Sequence, residues 1–60
     1  MEEPVFEAAR MERLVKQDRL LRFVVDDLVK RGHPRHRALE VTFNGYVLED
    51  SVMIRAYNRQ

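Results

Sequence analysis

Apolar side chains recur through residues 6–31 with the spacing of one helical face. At 100° per residue, Met11, Leu14, Leu21, Val25, Leu28 and Val29 fall on a common stripe, with Phe6 and Val24 at its edges. The ends of the segment carry matching signals. Pro4 behind Glu2 and Glu3 suits a first helical turn, and Lys30-Arg31 followed by Gly32 and Pro34 reads as a basic last turn, a C′ glycine and a stop. The pattern predicts one amphipathic helix over about residues 4–31, roughly 42 Å long at 1.5 Å per residue. The polar run Lys16-Gln17-Asp18-Arg19 is where a kink or break would fall, near Gln17. Against a break stand four acid-then-base pairs at i, i+4: Glu12–Lys16, Asp18–Arg22, Asp26–Lys30 and Asp27–Arg31. Leu14, Leu21 and Leu28 also repeat every seven residues, but Gln17 and Arg31 fill the alternate seam positions, which favours a core stripe over a coiled coil.

Beyond residue 37 the period changes to two. Leu39, Val41 and Phe43 point one way and Glu40 and Thr42 the other, and Asn44-Gly45 then supplies the dipeptide that a type I′ hairpin turn prefers. Tyr46, Val47 and Leu48 return as a second strand, with Phe43 opposite Tyr46 and Val41 opposite Leu48. Glu49-Asp50-Ser51 reads as another turn, and residues 52–57 suit a third strand by their β-branched content. The competing assignment there is a short helix with Ser51 as N-cap. The expected architecture is therefore a single α+β domain: a helix at about 4–31, a connector at 32–37, a β-hairpin at about 38–49 and a third strand at about 52–57.

Size changes what this fold requires. A lone core below roughly 70–80 residues seldom supplies more than about 3–5 kcal/mol, and this chain has 60 residues with no cysteine to add disulfides or thiolate metal sites. A partner chain is the remaining support, so a homodimer or a complex with another protein is expected. Hydrophobic residues at 45% and charged residues at 35% are a folded composition. No apolar run is long enough to span a bilayer, and the acidic amino terminus lacks a signal-peptide core, so a cytoplasmic location is expected. The start at Met1 suggests a complete small reading frame.

Two surfaces follow as candidates for contact. Leu20 and Phe23 project away from the core stripe, three residues apart, among Lys16, Arg19 and Asp27. In the meander, a tight Asp50-Ser51 turn would pair Ile54 with Val47 and leave Val47, Val52, Ile54 and Ala56 on a sheet face the helix does not cover; a longer turn would flip that register. Leu20, Phe23, Val47 and Ile54 are the protein-interface candidates. The basic stretch Lys30-Arg31-Gly32-His33-Pro34-Arg35-His36-Arg37 concentrates four of the eleven cations, and Lys30, Arg31, Arg35 and Arg37 are the candidate contacts to nucleic-acid phosphates. The row Arg10, Arg13, Lys16, Arg19, Arg22 is no such stripe, because a spacing of three turns each residue back by about 60°.

Other chemistry is poorly supported. His33 and His36 offer two metal ligands where zinc needs three or four, so no metal or cofactor is expected. Ser51, Asp50 and the histidines supply the letters of a catalytic triad without a cleft or an oxyanion hole, and no enzyme activity or small-molecule substrate is expected. The function expected is that of a small protein-binding regulator or inhibitor acting by surface occupancy. The alternative is a small nucleic-acid-binding regulator that uses residues 30–37.

Overall fold

The computed structural model describes residues 4–60, and every regular element among them is helical. The chain runs through α1 (Ala8–Gln17), α2 (Arg19–Lys30), α3 (Arg35–Thr42), a π-helical turn (Phe43–Val47) that continues α3, and α4 (Ser51–Asn58). The expected α+β fold is thereby overturned, because the hairpin, the third strand and the sheet face they would create are all absent from these residues. Helix α1 packs against α2, α3 and α4, and the core lies between them.

Asp18 divides the expected long helix in two. Its backbone is extended (φ −117°, ψ 116°), and its carboxylate accepts a hydrogen bond from Leu21 N at 3.0 Å as the N-cap of α2. Such a cap contributes about 1 kcal/mol. The Asp18–Arg22 ion pair that argued for continuity would contribute only about 0.2–0.5 kcal/mol. Arg22 instead donates to the Lys16 carbonyl oxygen at 2.8 Å, satisfying part of the exposed carboxyl end of α1. The break lets Met11, Leu14 and Val15 of α1 meet Leu21 and Val25 of α2 in one core. It also removes any continuous heptad seam. Residues 4–7 are not helical, so α1 starts later than Pro4 suggested, and Glu2 and Glu3 lie outside the described residues.

Helix α2 ends in a Schellman motif. Gly32 takes φ +103°, its N–H donates to Val29 O at 3.0 Å, and His33 N–H donates to Leu28 O at 3.1 Å. Pro34 follows as the N-cap of α3, where its missing N–H costs nothing.

Residues 38–47 form helix where alternation predicted strand. The pattern Ala38, Leu39, Thr42, Phe43 is buried, a helical face, while Val41 is exposed. The alternation of Leu39, Val41 and Phe43 fits either element locally, and core packing decides for the helix. Thr42 is buried without cost because its hydroxyl donates to Ala38 O at 2.8 Å. The Asn44-Gly45 pair makes no hairpin turn, since neither residue has positive φ. It sits in the π turn, whose wider pitch is closed by Leu48 N–H donating to Phe43 O at 3.1 Å. That pitch keeps Phe43 and Val47 buried and leaves Asn44, Gly45 and Tyr46 exposed.

The expected third strand is α4. Asp50 caps it, with Oδ1 accepting from Val52 N at 2.9 Å and Met53 N at 3.4 Å, so the helix forms with its cap one residue before Ser51. Tyr57 on α4 is fully buried. Its hydroxyl donates to Val5 O at 2.8 Å and accepts from Glu7 N at 2.8 Å, which ties the end of the chain to its start. Its ring lies 4.9 Å from that of Phe43, which lies 5.5 Å from Phe6. Tilted aromatic pairs of this kind contribute about 0.5–1.5 kcal/mol beyond the area they bury.

Two glycine substitutions separate this fold from a hairpin. Gly45→Ala meets open space at a helix-compatible φ, so it should stabilise the protein by about 0.4–1 kcal/mol in urea denaturation. Gly32→Ala should destabilise it, because φ +103° strains any L side chain. A loss at Gly45 would restore the type I′ turn. Tyr57→Phe should cost about 1–3 kcal/mol by the same assay, since it strands a carbonyl and an amide that the hydroxyl satisfies.

Candidate functional site

The basic stretch at 30–37 spans two helix ends. Lys30 and Arg31 close α2, where cations complement the negative end of the helix dipole. Arg35, His36 and Arg37 open α3, where cations meet the positive end and are unfavourable. Carboxylates offset that placement. Arg35 Nε and Nη2 donate to Glu12 Oε2 and Oε1 at 2.9 and 2.7 Å, a bidentate link from α3 to α1, and Nη1 lies 4.0 Å from Asp26 Oδ1. Arg37 pairs with Glu40 at 3.2 Å and Arg31 with Asp27 at 2.9 Å. Of the four residues singled out for phosphate contact, only Lys30 has no carboxylate partner among the described residues. The stretch is rich in charge and close to neutral with its surroundings.

The same link sets a protonation equilibrium. Hydrogen bonds from Arg35 hold the Glu12 carboxyl below the ordinary glutamate range; slight desolvation opposes this, and the charges of Arg35 and Lys16 add to it. The histidines of the stretch do different work. His33 is exposed, and His36 meets the Phe6 ring edge-on at 5.5 Å. Among the described residues no three histidine, aspartate or glutamate side chains gather where a metal ion would sit, and no helix is long and apolar enough to cross a membrane.

The four interface candidates separate. Leu20 is 59% exposed and Phe23 67% exposed on the outer side of α2, one turn apart, with half-buried Val24 beside them. Val47 is fully buried, because the π turn rotates it inward, and Ile54 is half-buried against the core. The open sheet face that would have displayed both does not form.

Further cations stand on α1 and α4. On α1, Arg10 lies over the Tyr57 ring of α4, 5.6 Å from its centroid, and Gln17 accepts a hydrogen bond from Gln60 Nε2 at 3.2 Å. Arg13 sits between them on the same stripe, at i+3 from Arg10 and i−4 from Gln17. On α4, Arg55 and Arg59 line one open groove with Val52 and Asn58. No ion pair joins Arg10, Arg13, Arg55 or Arg59 to a carboxylate among the described residues. Arg10 and Arg13 belong to the row whose spacing of three spirals around the helix, and Arg55 and Arg59, at i, i+4, lie about 160–200° around α4 from Tyr57, on its outer side.

The Glu12–Arg35 link predicts a pH-dependent contribution. A carboxyl with a lowered folded-state pKa stabilises the fold above its unfolded pKa, and that contribution fades as pH falls through the folded value. Wild type should exceed Glu12→Gln by about 0.2–1 kcal/mol at pH 7, the range for a solvent-open pair. The difference should shrink from about pH 4.5 downward, as read by urea denaturation across pH. A difference that holds constant to low pH would remove the link.

No family model, curated protein or solved structure matches the chain, so these surfaces carry the functional argument.

Proposed function

We propose that the protein is a small non-enzymatic regulator that works by occupying another macromolecule's surface, and that it does so as a homodimer joined through the outer side of α2. The observation that carries this reading is the exposed pair Leu20 and Phe23. Fully burying a leucine or phenylalanine side chain stabilises by about 1.5–3 kcal/mol each. A 60-residue core gains most from that contribution.

The charges around the pair favour a second copy of the chain as occupant. In an antiparallel pairing of two α2 helices about a twofold axis at Phe23, Arg19 and Asp27 stand equally far from the axis, about 6 Å along the helix. Each Arg19 then faces the partner's Asp27, whose carboxylate also pairs with Arg31 of its own chain at 2.9 Å, and the two Phe23 rings meet at the centre. The non-enzymatic part of the reading is supported by Asp50, whose carboxylate is engaged in capping α4. The cysteine-free composition favours work in the cytoplasm.

The double variant L20S/F23S tests the reading. Wild type should sediment at twice the monomer mass, and the variant at the monomer mass with its helical circular dichroism intact. Equal masses for the two proteins would exclude α2 as the joining surface.

A further inference from the structure

We propose that α1, with the segment before it, exchanges between two copies of this chain, and that Asp18 is the hinge. When Asp18 turns helical, α1 and α2 join into one straight helix, and each α1 docks on the core of the other copy. The partner for that core is thus a second copy of the chain. The inference does not rest on the outer side of α2.

Three observations carry it. First, the hinge is a single residue. The Asp18 N–H donates to Leu14 O at 3.1 Å, and its carbonyl oxygen accepts from Arg22 N at 3.0 Å. Both bonds have the i to i−4 form of a continuous helix. The extended backbone of Asp18 forgoes the three bonds that would run from residues 19, 20 and 21 to 15, 16 and 17. In their place stand the cap on Leu21 N and the bond from Arg22 to the Lys16 carbonyl oxygen. Straightening trades these two for three backbone bonds and sets Asp18 beside Arg22 at i, i+4. Second, Met11 and Leu14 of α1 and Leu21, Val25 and Leu28 of α2 share one stripe of an unbroken helix, so the straight form keeps its apolar side chains on one side. A single straight chain would bare Met11, Leu14 and Val15 to water, and for that reason one copy by itself bends. A second copy removes that cost. Third, α1 and the segment before it are held by discrete contacts that another copy offers unchanged: Tyr57 to Val5 and Glu7, Arg35 to Glu12, and Gln60 to Gln17. Exchange re-forms each of them between copies. With the same contacts in both forms, the hinge and the protein concentration decide which form prevails.

The test uses the full chain carrying L20S/F23S, which removes the outer side of α2 as a joining surface and keeps the two readings separable. Chains are refolded from urea at about 1 mM, the scale of effective concentration for a short tether, and their mass is read by sedimentation. D18A deletes the cap of the bent form at both hinges of a dimer and should raise the association constant about 30-fold. R19P should abolish the dimer. Proline suits the first position of α2 and an extended residue before it, and it does not fit the interior of a straight helix. The decisive experiment mixes charges. E12R and R35E each oppose like charges in a closed chain, whereas an exchanged pair of one E12R and one R35E chain restores opposite charges at both links. Refolded together, one tagged and one untagged, these chains should co-purify more than either does with its own tagged copy. Equal co-purification overturns the proposal whatever mass D18A shows, and so does an R19P chain that dimerises like its parent.

Discussion

The hydroxyl of Tyr57 holds the two ends of the chain together. It donates to Val5 O and accepts from Glu7 N, groups 52 and 50 residues away, from a side chain with no exposed surface. A buried phenol needs both partners, and the amide and carbonyl before α1 need the phenol in return. The same ring contacts both Phe43 and Arg10, and Phe43 in turn meets Phe6. One side chain thus positions α4, the π turn and the segment leading into α1. In a chain too small for a large core, such a shared anchor concentrates stability in a few groups.

Electrostatics are arranged around that frame in two contrasting ways. At the junction of α2 and α3 the cations are met by carboxylates from three helices, and the Arg35–Glu12 link serves the fold by fastening α3 to α1. Over α1 and α4 the cations Arg10, Arg13, Arg55 and Arg59 have no such partners among the described residues. Density of charge in sequence is therefore a poor guide to available charge here. The densest cluster is neutralised by residues up to 23 positions away.

The exposed pair Leu20 and Phe23 was legible from helical projection alone, because a residue's side of a helix depends only on its spacing from the core stripe. Val47 and Ile54 were not. Their expected exposure depended on a strand register, and the register vanished with the sheet. The break at Asp18 was visible as a polar run, but its outcome turned on whether the carboxylate bonds a backbone amide or a side chain four residues on. Both are local options, and the cap is the stronger one.

What the sequence determined by itself is the chemistry that acts within a few residues. Gly32 and Pro34 end α2 through a positive φ and a missing amide, the stripe from Met11 to Val25 faces inward, and the absence of cysteine leaves the core without disulfide support. What only the tertiary structure decided is the conformation of residues 38–57 and the companionship of distant charges. Alternating apolar residues around Asn44-Gly45 satisfy a hairpin and a helix about equally in local terms. The choice falls to the helix because it buries Leu39, Phe43, Val47 and Tyr57 in one cluster with Met11, Leu14, Leu21 and Val25.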